Sequence, residues 1–102
     1  MAANEGDRPN RTPRAFTAIV KGRVQGVGFR FTTWRLAAEL GVLGWVRNRP
    51  DGSVEVWAQG TEDSLAALAS FLDNGPLGAV VTAVETRTTD PDPTLARFEI
   101  RP

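Results

Sequence analysis

Residues 16–40, FTAIVKGRVQGVGFRFTTWRLAAEL, change their apolar spacing across a glycine-bearing step. From Phe16 to Lys21 the run is mostly apolar with β-branched content, the composition of a strand, and it ends at Gly22-Arg23-Val24. From Phe29 onward the apolar positions follow a different rule. Phe29, Thr33, Leu36, Ala37 and Leu40 fall at i, i+4, i+7, i+8 and i+11, which is one stripe of a helix that Gly41 is placed to close. Gln25-Gly26-Val27-Gly28 joins the two as a tight loop. A strand feeds a glycine loop, and the loop feeds a helix.

Further along, Val42 to Asn48 returns as a second strand, and Arg49-Pro50-Asp51-Gly52 has the Pro and Gly placement of a tight turn. Ser53 to Gln59 alternates Val54, Val56 and Ala58 with Glu55, Trp57 and Gln59, so these two strands are read as an antiparallel hairpin. Thr61 is set to cap a second helix, with Glu62 and Asp63 in its first turn and Leu65, Leu68, Ala69 and Leu72 as its apolar stripe. Asn74-Gly75-Pro76 stops it. Ala79 to Thr88 reads as a fourth strand, Asp90-Pro91-Asp92-Pro93 as a turn, and Leu95 to Arg101 as a closing strand with Ala96, Phe98 and Ile100 on one side. The order β-α-β-β-α-β plus one strand is the split-βαβ, ferredoxin-like pattern of an α+β sandwich, with an antiparallel sheet carrying both helices on one face. Residues 1–14 mix polar residues and prolines without a periodic apolar pattern; they are expected to be a disordered tail, and 15–102 the domain.

Composition bounds what such a domain does. At 102 residues, with 41% hydrophobic and 24% charged, the chain supports one domain with one modest core. It has no Cys and no His, which removes thiolate nucleophiles, imidazole bases, disulfides and the usual zinc ligands. No apolar run reaches the roughly 18–20 residues of a membrane span. The start Met1-Ala2-Ala3-Asn4-Glu5-Gly6-Asp7 lacks the basic and apolar segments of a secretory signal, so no membrane association and a cytoplasmic location are expected. Net charge is +0, yet the signs are separated: residues 14–49 carry seven basic side chains against Glu39, and residues 50–102 carry nine acidic ones against Arg87, Arg97 and Arg101. An anionic ligand is therefore expected at the first half. The charge is too sparse for a strong nucleic-acid binder, and the third strand offers a single outward aromatic, Trp57, beside Glu55, which argues against an RNA-binding sheet. Arg23, Arg47 and Arg49 read as a solvated basic rim, Trp45 and Trp57 as packing residues.

The loop itself suggests which anion. Backbone N–H groups left unpaired before a helix, together with the positive end of the helix dipole, make an anion site, and Arg30 adds a fork matched to phosphate or carboxylate oxygens. A cation at that end of a helix is poorly placed for the dipole unless a ligand neutralises it. The dinucleotide pattern G-x-G-x-x-G fails because position 31 is Phe31, and the P-loop fails because the lone lysine, Lys21, precedes the loop. The plainer reading is a packing turn with a solvated arginine.

The run Gly22-Arg23-Val24-Gln25-Gly26-Val27-Gly28-Phe29-Arg30 resembles the signature of the acylphosphatase family, and Gly44-Trp45-Val46-Arg47-Asn48 resembles its second motif. Their separation, the intervening helix and the Pro-Asp-Gly turn also fit, and the resemblance covers about residues 15–102. It implies a hydrolase that splits acyl phosphates into carboxylate and inorganic phosphate. Arg30 would bind the phosphate and Asn48 position the attacking water as the catalytic pair, with Gln25, Gly26, Val27, Gly28, Phe29 and Arg30 forming the substrate-binding loop. Gln25 has a second reading as a structural cap of the loop, and Phe29 one as core. An acyl phosphate has a good carboxylate leaving group, so positioning and charge stabilisation suffice without a covalent nucleophile. Mg²⁺ would want carboxylates near the phosphate, and residues 22–48 offer only Glu39. A metal-independent, cofactor-free monomer is expected. The alternative is a non-catalytic module that binds acyl or carbamoyl phosphate or a partner.

Overall fold

The structure, a computed structural model, describes residues 13–102. The tail expected over 1–14 therefore lies outside the described residues except for Pro13 and Arg14, and Arg14 already belongs to a strand. In chain order the elements are β1 (Arg14–Arg23), α1 (Phe29–Leu40), β2 (Leu43–Asn48), β3 (Val54–Gly60), α2 (Glu62–Asn74), β4 (Val80–Thr89) and β5 (Phe98–Arg101).

The sheet order is β4-β1-β3-β2-β5. Strands β1 to β4 make antiparallel pairs, with Ala18 opposite Val56, Val20 opposite Val84, and Val46 opposite Val56. The last strand departs from the expected antiparallel sheet: β5 lies parallel to β2, with Gly44 beside Phe98 and Val46 beside Ile100, so the sheet is mixed. The chain's direction explains this. The end of β4 lies beside the start of β1, with Thr89 opposite Ala15, and the start of β2 lies at that same end, with Leu43 and Ala15 both opposite Gln59. A strand that begins there and pairs with β2 has to run alongside it in the same direction.

Each helix buries one stripe against one sheet face. α1 buries Phe29, Thr33 and Ala37, and α2 buries Leu65, Leu68 and Leu72, over Ala18, Val20, Val46, Val54 and Val56. The polar member of the first stripe is satisfied, since the Thr33 hydroxyl donates to the Phe29 carbonyl at 2.7 Å. At the end of α1 the N–H groups of Gly41 and Val42 donate to the carbonyls of Ala38 and Ala37, a Schellman cap. Val42 thus serves the cap, and β2 begins one residue later than its apolar run suggests. The closing strand begins at Phe98 rather than Leu95 because the preceding segment is held as turns: Asp92 accepts from the Thr94 N–H and hydroxyl, and Gln59 bonds both the N–H and the carbonyl of Asp92.

Gly22 and Gly44 are both fixed by contact with the backbone of a neighbouring strand. Gly44 has φ 139°, and a Cβ there would sit 1.9 Å from the Trp57 carbonyl oxygen. Gly44→Ala should therefore destabilise the fold by about 2–4 kcal/mol through backbone strain and overpacking. Urea unfolding checks this, and a midpoint equal to that of the wild type would contradict the close β2–β3 approach.

Candidate active site

β1 and β2 each pair antiparallel with β3 and so run in the same direction, and β5 runs with them. Three strand ends consequently meet at one end of the sheet. The loop after β1, Asn48 at the end of β2 and Ile100 near the end of β5 surround a pocket of about 220 Å³, lined by Val24, Gly26, Gly28, Phe29, Arg30, Phe31, Asn48 and Ile100.

The helix that opens into this pocket is unusual beside its partner. α2 is capped in the ordinary way: Thr61 Oγ1 accepts from the Ser64 N–H at 3.2 Å, and Glu62 and Asp63 occupy the first turn. α1 has neither device. Its N-cap is Gly28 at φ 80°, which makes no side-chain cap bond, and no acidic residue lies in the first turn. Gly28 supplies the left-handed backbone that turns the loop into the helix, a conformation rarely tolerated by side chains with a Cβ. The first N–H of this region with a carbonyl partner is that of Thr32, which donates to the Gly28 carbonyl at 3.0 Å. Among the described residues, the N–H groups from Gln25 to Phe31 have no backbone acceptor. Arg30 sits at this positive helix end and makes no ion pair among the described residues.

Asn48 reaches the pocket through strand alternation. Gly44, Val46 and Asn48 share the helix-covered face of β2, so the core-facing row ends in a carboxamide just beyond the buried valine. Its neighbours are engaged elsewhere, Arg47 with Glu55 at 2.7 Å and Ser53 with Asp51, while the Asn48 side chain makes no hydrogen bond among the described residues.

Of the residues singled out in the sequence, the pocket brings together Gly26, Gly28, Phe29, Arg30 and Asn48. Phe29 lines its floor, is itself buried, and packs on Phe71 with ring centroids 5.8 Å apart. Val27 is not among the lining side chains and packs against the core. Gln25 turns away from the pocket: its carboxamide donates both hydrogens, to the Arg49 carbonyl at 2.8 Å and to the Ser53 carbonyl at 2.9 Å. This is the capping role, and it binds the loop to the β2–β3 turn. That turn is braced in its own right by Asp51, whose carboxylate accepts from the Ser53 hydroxyl and N–H and is held below the usual carboxylate range by those two bonds. Arg47, expected as solvated rim, instead forms a cross-strand ion pair with Glu55. The sequence reading missed Phe31 and Ile100 as pocket residues. The available signal was that Phe31 lies off the buried stripe of its helix.

Fold and site define a small ferredoxin-like α+β domain that turns an uncapped helix end and an arginine toward one pocket. The acylphosphatase family model matches residues 16–100. An acylphosphatase of Nitrobacter hamburgensis is 55% identical over 67 residues, covering 66% of this chain and 68% of that protein. One from Trichormus variabilis is 41% identical over 97 residues, covering 91% and 95%. The crystal structure of acylphosphatase from Bacillus subtilis superposes with a TM-score of 0.82 at 36% identity, covering 86% of this chain and 98% of that one. The chain belongs to the acylphosphatase family, hydrolases that act on acid anhydrides. Among the described residues no helix is long and apolar enough to cross a membrane.

Gln25→Ala should cost about 1–3 kcal/mol, because it removes two hydrogen bonds to partly buried carbonyls. Gln25→Glu, similar in shape but with carboxylate oxygens facing the same carbonyls, should cost more. Equal unfolding midpoints for the three proteins would contradict the clamp.

Proposed function

We propose that this chain hydrolyses the carboxyl–phosphate bond of acyl phosphates, with the phosphoryl group held by the 25–30 loop and Arg30 and the attacking water oriented by Asn48. The observation that carries the reading is the contrast between the two helix starts. α2 neutralises its dipole with Thr61, Glu62 and Asp63, whereas α1 leaves its N–H groups open and adds a cation. A dianionic phosphoryl group satisfies both the open donors and the charge.

In this reading the acyl phosphate enters with its phosphoryl oxygens among the loop N–H groups and the Arg30 fork. These donors match the charge spread over the equatorial oxygens as the phosphorus–oxygen bond to the acyl group breaks. Water held by the Asn48 carboxamide, which can both donate and accept, attacks phosphorus in line with that bond. The leaving group departs as a carboxylate and needs no proton. The proton lost by the water passes to a phosphoryl oxygen, so a dianionic acyl phosphate gives carboxylate and dihydrogen phosphate, which then ionises in solution. The chain has no His or Cys, and among the described residues no carboxylate lines the pocket, which supports a reaction without a protein base and without Mg²⁺.

The purified protein should hydrolyse benzoyl phosphate in EDTA, with inorganic phosphate as a competitive inhibitor. Asn48→Ala should lower kcat by about 100-fold or more while changing KM little, since the carboxamide acts on the water and not on bound phosphate. A change confined to KM would make Asn48 a binding residue. Phosphate binding without turnover in the wild type would leave an anion-binding module in place of an enzyme.

A further inference from the structure

Of the five large apolar side chains left exposed among the described residues, Leu77 and Val80 lie outside the pocket lining and the other three are in it or packed on it. Phe31 is 55% exposed, Ile100 42% and Trp34 37%. Phe31 and Ile100 stand in the pocket wall with Arg30 and Asn48, and Trp34, almost one turn further along α1, packs on Phe31 with ring centroids 5.8 Å apart. Neither aromatic belongs to the stripe that α1 buries, Phe29, Thr33 and Ala37. Phe31 is two positions from Phe29, which on a helix places it roughly on the opposite side. Ile100 follows the buried Phe98 on the same side of β5, beside Val46, but lies past the cover of the helices. Packing of the core thus accounts for none of the three, and contiguous exposed apolar surface beside a polar pocket marks a place for a ligand.

The pocket lining holds two chemically different sets of groups, the loop with its N–H groups and Arg30, and the apolar side chains of Val24, Phe29, Phe31 and Ile100. Among the described residues Arg30 is the only charged side chain in the lining, so a second anionic group on the substrate would find no partner there once Arg30 holds phosphate. We infer that the exposed part of the apolar set, Phe31 and Ile100 with Trp34 behind, is an acyl subsite that selects acyl phosphates with an aromatic or extended aliphatic acyl group over those with a one- or two-carbon or carboxylated one. The inference rests on the phosphate end being where the proposed function puts it. Phe31 and Ile100 then set specificity through the acyl group, while the phosphoryl group is handled by residues they do not replace.

The test compares kcat/KM for benzoyl phosphate and acetyl phosphate, each corrected for spontaneous hydrolysis, with phosphate inhibition read in the same proteins as a separate report on the anion end. Wild type should prefer benzoyl phosphate by at least about tenfold, the scale on which apolar pockets discriminate. Phe31→Ala should reduce that preference by about tenfold, mainly through KM for benzoyl phosphate, and Phe31→Leu should restore most of it. Ile100→Ala, on β5 and away from α1, should shift the preference in the same direction even where Phe31→Ala folds poorly. A preference unchanged in Phe31→Ala and Ile100→Ala, or equal losses on both substrates, overturns the subsite while retained phosphate inhibition leaves the phosphate end standing. Absence of turnover and of phosphate binding in the wild type overturns both readings.

Discussion

Two hydrogen bonds from the Gln25 carboxamide, to the main-chain carbonyls of Arg49 and Ser53, tie the loop after β1 to the turn that joins β2 and β3. The arrangement of the site depends on that tie. It uses a side chain to anchor the loop, so the backbone N–H groups that follow are not consumed in holding it. It also fixes the loop against the turn that begins just after Asn48, which brings the Arg30 end of α1 and the end of β2 to one pocket. Further support comes from below, where Asp51 accepts both the hydroxyl and the N–H of Ser53, one of the two residues Gln25 grips. Side-chain bonds to main chain of this kind are worth about 1 kcal/mol each, and their consequence here is geometric as much as energetic.

The two helices show what this geometry costs. A side-chain cap contributes about 0.5–2 kcal/mol, and α2 has one in Thr61, while α1 begins at a glycine with no cap and with Arg30 against the dipole. Local stability is forgone at one helix end of a small domain. The loss is tolerable because α1 is held by Phe29, Thr33 and Ala37 in the core and by the Schellman cap at its other end. A phosphoryl ligand would supply what the missing cap does not, which makes occupancy of the site and stability of the helix linked quantities.

Most of the fold was legible because it is periodic. The stripe at Phe29, Thr33 and Ala37, the alternation of Val54, Val56 and Ala58, and the Thr61 cap with its acidic first turn are local patterns, and each appears as read. The parallel placement of β5 was not legible, because its direction follows from where β4 ends relative to β2 and not from any residue of β5. The shortened closing strand has a similar cause, since the bonds between Gln59 and Asp92 join residues far apart in the chain. At the site, Arg30 and Asn48 could be named from motif and strand end, and the pocket contains both. Gln25 could be read two ways, and only its carbonyl partners separate them. Ile100 could be assigned a side of its strand but not its exposure, which depends on where the helix cover stops.

The central claim is that the open N–H groups of the β1–α1 loop and Arg30 are a phosphate site. The most direct measurement is a titration of ¹⁵N-labelled protein with inorganic phosphate, followed through the backbone amide resonances. Saturable shifts centred on Gly26 to Phe31 are expected in the wild type, with their loss in Arg30→Ala and the rest of the spectrum preserved. Shifts centred elsewhere, or the same loop shifts at the same phosphate concentrations in Arg30→Ala, would contradict the claim.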